Sequence, residues 1–366
     1  MDARARDGAR GVLDRLRGRD GGDAPSTSAS RSWGVRDMSA HDRATLANHA
    51  ALTSAQLIWG LMHVFANAGL RHIEPTAFCA MRLGVALPFL AAQARREGGR
   101  APWRDLARWV PAMGVSIGGA YLMVFVCNAK SGATLVACVQ PLIPVIVAVA
   151  SACVGQDGLG SKKPLERMTR LKAAGVVVVF VGTVLALRAY EIFTAGGITV
   201  GEVFMLLSQV GSYSMYAVLL GLATKTYPYP LLFLFLATTF AEFGIILIAI
   251  PAFQNLRASE VPASAWGSVA FAGLASSVVA HSLNSWAIAR VKGVLPTVYS
   301  GIQVVFAIIL ARIFLDERLQ WDQLIGVCVT MLGVFAVAKA KYAESSDETR
   351  DLREGSAAAD VSTDAI

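Results

Sequence analysis

Apolar residues in this chain gather in ten blocks of about twenty, parted by short polar stretches. The first five run from Ala50 to Leu70, Pro75 to Gln93, Leu106 to Cys127, Gly132 to Val154 and Leu171 to Leu187. The second five run from Gly197 to Leu222, Pro230 to Phe253, Ala265 to Ile288, Gly293 to Leu315 and Leu319 to Lys339. As α-helix, a block of this length crosses the roughly 30 Å of a bilayer's hydrocarbon. The pattern therefore predicts an all-α membrane protein of ten transmembrane helices. Pro88, Pro111, Pro141, Pro144 and Pro296 fall inside blocks; neighbouring helices can re-satisfy the backbone groups they free, so they predict kinks rather than ends.

The blocks repeat. Ala289-Arg290 matches Ala129-Lys130 at an offset of 160 positions, and Glu317 then falls on Asp157. The glycines Gly326 and Gly333 recur as Gly175 and Gly182 at an offset of 151, so the earlier copy holds nine extra residues in its polar loop. Self-similarity on this scale is an internal duplication. Each copy, 50–188 and 197–342, holds five spans, and an odd number forces the second to enter the membrane upside down. The expected architecture is thus two inverted five-helix repeats, an arrangement that in secondary transporters puts the substrate site between the halves.

Composition changes this picture little. With 55% hydrophobic and 16% charged residues among 366, the chain is too apolar for a water-soluble domain of its size. The net charge of +7 resides in loops. Placing the N-terminus in the cytosol collects Arg95, Arg96, Arg100, Arg104 and Arg108, then Lys162, Lys163, Arg167, Arg170 and Lys172, on one side. Positive-inside sorting accounts for that bias better than a nucleic-acid partner, and predicts an integral multi-pass protein with both termini cytosolic. Residues 1–49 and 343–366 carry no apolar periodicity and are expected to be disordered cytosolic tails, with no apolar core of a secretory signal before Ala50. The five cysteines lie in apolar blocks with no CxxC spacing, and read as small core residues.

The second copy reads Leu295-Pro-Thr-Val-Tyr-Ser-Gly-Ile-Gln-Val-Val-Phe-Ala307, then Leu315-Asp-Glu-Arg-Leu319, then the pair Gly326 and Gly333. The first offers Gln140-Pro-Leu-Ile-Pro144 at the matching place, with Trp59-Gly60 and Arg82 upstream. In these stretches the chain resembles the drug/metabolite transporter superfamily in its EamA-domain branch, and is most similar in tone to plant and algal members. The resemblance implies ten helices, cytosolic termini and a central cavity for a small organic metabolite such as an amino acid, nucleobase or organic acid. It implies no cofactor.

Polar side chains inside spans are costly and turn towards the bundle interior or a wet cavity. Gln56, Trp59, His63 and Asn67 make one helical stripe; Gln209, Tyr213 and Tyr216 make a second; Ser277, His281 and Asn284 a third; Tyr299 and Gln303 a fourth. From these stripes Trp59, His63, Asn67, Tyr213, Tyr216, His281, Asn284, Tyr299 and Gln303, with Gln140 and the intramembrane cation Arg82, form the expected substrate-binding set, Glu242 being the other ionisable residue near mid-span. Solute, bilayer and a coupling proton or counter-substrate are the expected partners. A sugar-phosphate or nucleotide-sugar exchanger would need several deep Lys or Arg residues, where Arg82 stands alone. A membrane-embedded lipid-modifying enzyme would need a nucleophile, metal cluster or acid–base pair, and no such motif occurs; the reading is of a carrier, not an enzyme. Epitope tags on the two ends should both be protected in sealed cells and both become accessible when the membrane is permeabilised. Tags reporting from opposite sides would refute the odd-numbered repeat.

Overall fold

The computed structural model describes residues 40–97, 103–153, 168–193, 198–291, 296, 299–340 and 343. The chain divides into two units, Met1–Ala44 and Thr45–Ile366, and the packing below is that of the second. Among the described residues all regular structure is helical. The first copy contains α1 (Ala40–Leu70), α2 (Pro75–Glu97), the short α3 (Trp103–Ala107), α4 (Val110–Cys138), α5 (Leu142–Cys153) and α6 (Arg170–Ala186). The second contains α7 (Val200–Thr226), α8 (Pro230–Asn255), α9 (Ala263–Arg290), α10 (Ser300–Phe314) and α11 (Trp321–Ala340).

Six of these, α2, α4, α7, α8, α9 and α11, are long and apolar enough to cross a membrane, and α5 and α10 are shorter apolar helices. Only 44–50% of each most apolar stretch is buried. The rest faces outward, as Phe243 and Leu247 of α8, Ile313 and Phe314 of α10, and Leu332 and Phe335 of α11 do. A continuous apolar exterior of this kind is suited to hydrocarbon and not to water.

The helix ends differ from the expected ones at definite places. The segment 40–49, read from sequence as tail, continues α1 outward; a helix already nucleated by an apolar run extends cheaply into polar residues. The expected tails at 1–39 and 344–366 lie outside the described residues. Leu106, expected to open the third span, sits in α3, and the expected loop near residue 130 is a kink at which two helices, together α4, join. The break within α4 is a single residue, Gly132, at φ 82° and ψ 166°, a conformation open in practice only to glycine. The fourth span is interrupted again at Gln140-Pro141. Proline brings no N–H there, the Gln140 N–H serves the Ala137 carbonyl at 3.1 Å, and the Gln140 side chain donates to the Val136 carbonyl at 3.0 Å.

Carboxylates pin two helix starts. Glu317, in the turn after α10, accepts from the backbone N–H groups of Ala133 (3.2 Å) and Thr134 (2.9 Å), and from the Thr134 hydroxyl. These are donors that a helix start leaves unserved. Glu97, closing α2, accepts from Leu231 N–H (2.7 Å) and Leu232 N–H (2.9 Å) at the start of α8. The C-terminal end of α2 therefore meets the N-terminal end of α8, and the two helices pack antiparallel. Gly84 of α2 accordingly faces Glu242 of α8.

The glycine pairs give a second antiparallel seam, between α6 and α11. A Cβ added at Gly175 would lie 2.9 Å from the Gly333 carbonyl oxygen, and one at Gly333 would lie 2.8 Å from that of Gly175. Gly182 and Gly326 are reciprocal in the same way, at 2.8 and 2.7 Å. Each glycine thus packs on the counterpart of its own partner, so exchanging the two copies leaves the contact unchanged. Elsewhere Gly114 and Gly118 seat Phe240 and Ala241 of α8 on α4, and Gly60 lets α1 approach the Gln303 carbonyl of α10. Gly201 is exposed and meets only the Thr199 side chain of its own cap, so it makes no crossing. Substituting Gly182→Leu or Gly326→Leu should lower the melting temperature of the purified protein by roughly 5 °C or more, since overpacking against backbone costs about 1–3 kcal/mol. Gly201→Leu should leave it unchanged, and equal losses at all three positions would contradict the seam.

Candidate functional site

A cavity of about 50 Å³ lies where helices of both copies converge. From the first copy, α1 contributes Gln56, Trp59 and His63, α2 contributes Arg82, α4 contributes Tyr121 and Val124, and the break before α5 contributes Gln140. From the second, α7 contributes Gln209 and Tyr213, α9 contributes Ser276, His281 and Asn284, and α10 contributes Ser300 and Gln303. Close approach of α1 to α10 at Gly60 brings His63 within reach of Gln303, and the backbone break at Pro141 frees Gln140 to reach Gln209 of α7. Gln140 and Ser300 stand 160 positions apart, the offset of the repeat, and both line the wall.

Most amides of the wall are held. The Gln140 amide nitrogen donates to Gln209 Oε1 at 3.1 Å, and that of Asn284 donates to the Tyr213 hydroxyl at 2.8 Å. Gln303 Nε2 lies 2.7 Å from His63 Nε2. With an amide nitrogen as donor, the imidazole accepts at Nε2 and carries its proton on Nδ1, and that atom is buried without a partner. Aromatic rings form one side of the space: His281 stands edge-on to Trp59 (4.8 Å between centroids) and to Tyr121 (4.9 Å), with Tyr213 at 5.9 Å from Trp59.

Arg82 is the formally charged residue of the wall among those described. It is 1% exposed, and its guanidinium lies over the rings of Tyr121 and Phe125, 4.4 and 4.7 Å from their centroids. Its backbone carbonyl is packed against Gly273 of α9, where a Cβ would approach to 2.8 Å. Glu242, also buried, makes no ion pair with Arg82 within 4.0 Å and is not part of the wall.

Of the residues expected from sequence to bind substrate, Trp59, His63, Arg82, Gln140, Tyr213, His281, Asn284 and Gln303 line this cavity. Asn67, Tyr216 and Tyr299 do not. Asn67 donates to Asn128 Oδ1 at 3.2 Å, and Asn128 in turn donates to the His63 carbonyl at 2.8 Å, joining α1 to α4. The Tyr216 ring is fully buried between α7 and α9, its hydroxyl 3.3 Å from Ser285 Oγ. Tyr299 hydrogen-bonds His49 of α1. Ser277 is displaced from the wall by its neighbour Ser276, because Ala272–Ala280 is a π-helix, in which positions five apart come into register. Ser277 instead bonds the Ala272 carbonyl at 2.8 Å. Sequence reasoning missed Tyr121 and Ser300. Tyr121 lacks a polar companion at helical spacing within its block; Ser300 has one in Gln303, three residues on, and that spacing was the available signal.

A sequence model of the EamA-like transporter family matches the chain twice, over residues 49–188 and 200–339. A crystal structure is similar in fold, with a TM-score of 0.57 at 18% identity, covering 82% of this chain and 97% of the other.

Proposed function

Because the chain belongs to the EamA-like transporter family, we propose that it moves a small organic solute across a membrane by alternating access, through ten helices arranged as two inverted five-helix repeats. The observation that carries this reading is the cavity wall itself, drawn from both copies and built of aromatic faces, amides and one cation. The inversion is supported by two pairs of equivalent helices, α2 with α8 and α6 with α11, that pack antiparallel.

The volume adds a mechanical argument. Solute pockets run to about 300–1,000 Å³, whereas this cavity has about 50 Å³. At this volume the site is too small for a metabolite as it stands, and taking one up requires the helices around it to move apart. The solute classes within this reading are amino acids, nucleobases and organic acids. A coupling proton or counter-solute belongs to it too, with His63 and His281 as the titratable side chains at the wall. Sugar phosphates are disfavoured by the single cation.

Purified protein in liposomes should take up at least one member of a radiolabelled panel of these classes. Trp59→Ala and Gln303→Ala, which remove wall groups, should lower that uptake by about tenfold or more, while Asn67→Ala and Tyr216→Phe, off the wall, should hold it within about threefold. Absence of uptake for every compound, or equal losses at all four positions, would overturn the proposal.

A further inference from the structure

The Arg82 corner of the cavity lacks one thing, an acceptor. Arg82 Nε and Nη2 are buried with no hydrogen-bond partner, and so are the Tyr121 hydroxyl, Ser276 Oγ and His281 Nδ1. All four residues line the same cavity. Buried polar atoms are satisfied in the great majority of cases, so a cluster of unserved ones on a single wall calls for a guest that serves them. Every group in this cluster can donate, and the guanidinium can do nothing else. The matching guest is rich in lone pairs and carries negative charge.

From this corner we infer that the transported solute is a monocarboxylate, anchored by the Arg82 fork with Tyr121, Ser276 and His281 as flanking donors. The inference rests on the proposal that this cavity is the solute site. A carboxylate offers two oxygens in the plane and spacing that the guanidinium fork matches. The guanidinium carbon of Arg82 lies over the rings of Tyr121 and Phe125, contacts that hold the side chain in place, while Nε and Nη2 on one edge of the fork stay without a partner. No second Lys or Arg lines the cavity among the described residues, and a phosphate dianion would keep one charge uncompensated away from water. Glu242 does not occupy the fork: its Oε2 is itself buried without a partner, and its other oxygen lies beside Gly84. Trp59 and Tyr213 supply apolar surface for the body of the acid.

Melting of the purified full-length protein is measured with matched acid and amide pairs: lactate and lactamide, benzoate and benzamide, N-acetylphenylalanine and its amide, with phenyl phosphate alongside. At least one acid should raise the melting temperature, and its amide should bind about tenfold more weakly or worse. Arg82→Gln should abolish the preference for acid over amide; Arg82→Lys, which keeps the charge and loses the fork, should bind the acid about tenfold more weakly while still preferring it. If Arg82→Gln does not fold, the pairs on the unaltered protein decide. No binding by any acid, equal binding of acid and amide, tighter binding of phenyl phosphate, or a preference that survives in folded Arg82→Gln would each overturn the inference. Acid binding without uptake in liposomes would instead refute the transport proposal and leave the recognition standing. Uptake of a neutral solute indifferent to Arg82→Gln would do the reverse.

Discussion

Helices surrounded by hydrocarbon gain nothing by hiding apolar surface from one another, because lipid tails are as apolar as leucine. What holds such a bundle is contact close enough to recruit backbone atoms, and the α6–α11 seam is the clearest case. Four glycines there bring main chain against main chain, each fitted to the counterpart of its partner. The crossings of α4 with α8, α1 with α10 and α9 with α2 follow the same logic, each with a glycine under the neighbouring helix. The polar cavity depends on these approaches. His63 meets Gln303 because Gly60 admits α10, and Arg82 shares a wall with Ser276 and His281 because Gly273 sits against the Arg82 carbonyl.

Much of this was legible in the sequence. Block lengths indicated membrane helices, and the spacing of seven between paired glycines marked the same two helices that the fold joins. Polar stripes at steps of three and four pointed to residues that do share a wall, among them Trp59, His63, His281, Asn284 and Gln303. The failures have identifiable physical causes. A helical stripe has width, so Asn67 and Tyr216 lie at its margins, where a neighbouring helix offers Asn128 or Ser285 and takes the side chain out of the cavity. The π-turn shifts the register of α9 by one, which exchanges Ser277 for Ser276, and no spacing rule written for 3.6 residues per turn reveals it. Gly132 follows the polar Asn128-Ala-Lys-Ser131, so hydropathy placed a loop where the chain makes a one-residue bend; Gln140-Pro141 falls within apolar sequence, so hydropathy placed a continuous span where the chain makes a break.

Polar groups inside the bundle divide into two kinds. Some are spent on each other: Gln140 with Gln209, Asn284 with Tyr213, Asn67 with Asn128. These tie helices of the bundle together and are stable without any guest. Others, gathered about Arg82, are left without acceptors. A charged side chain at the centre of a span costs roughly 2.5–3.5 kcal/mol on insertion scales, and cation–π contact with Tyr121 and Phe125 offsets part of that, about 0.5–2 kcal/mol. The wall therefore combines a polar frame bonded to itself with a corner of unpartnered donors.

The clasp of Glu317 on the start of the helix after Gly132 carries a mechanical corollary. One carboxylate from the second copy serves two amide hydrogens and a hydroxyl of the first, and all three bonds run to the same few atoms. Pulling the end of α10 away cannot loosen them in succession; it strands them together. Parting these two helix ends therefore gives up all three bonds at once and leaves the carboxylate and the first turn of the helix unserved together.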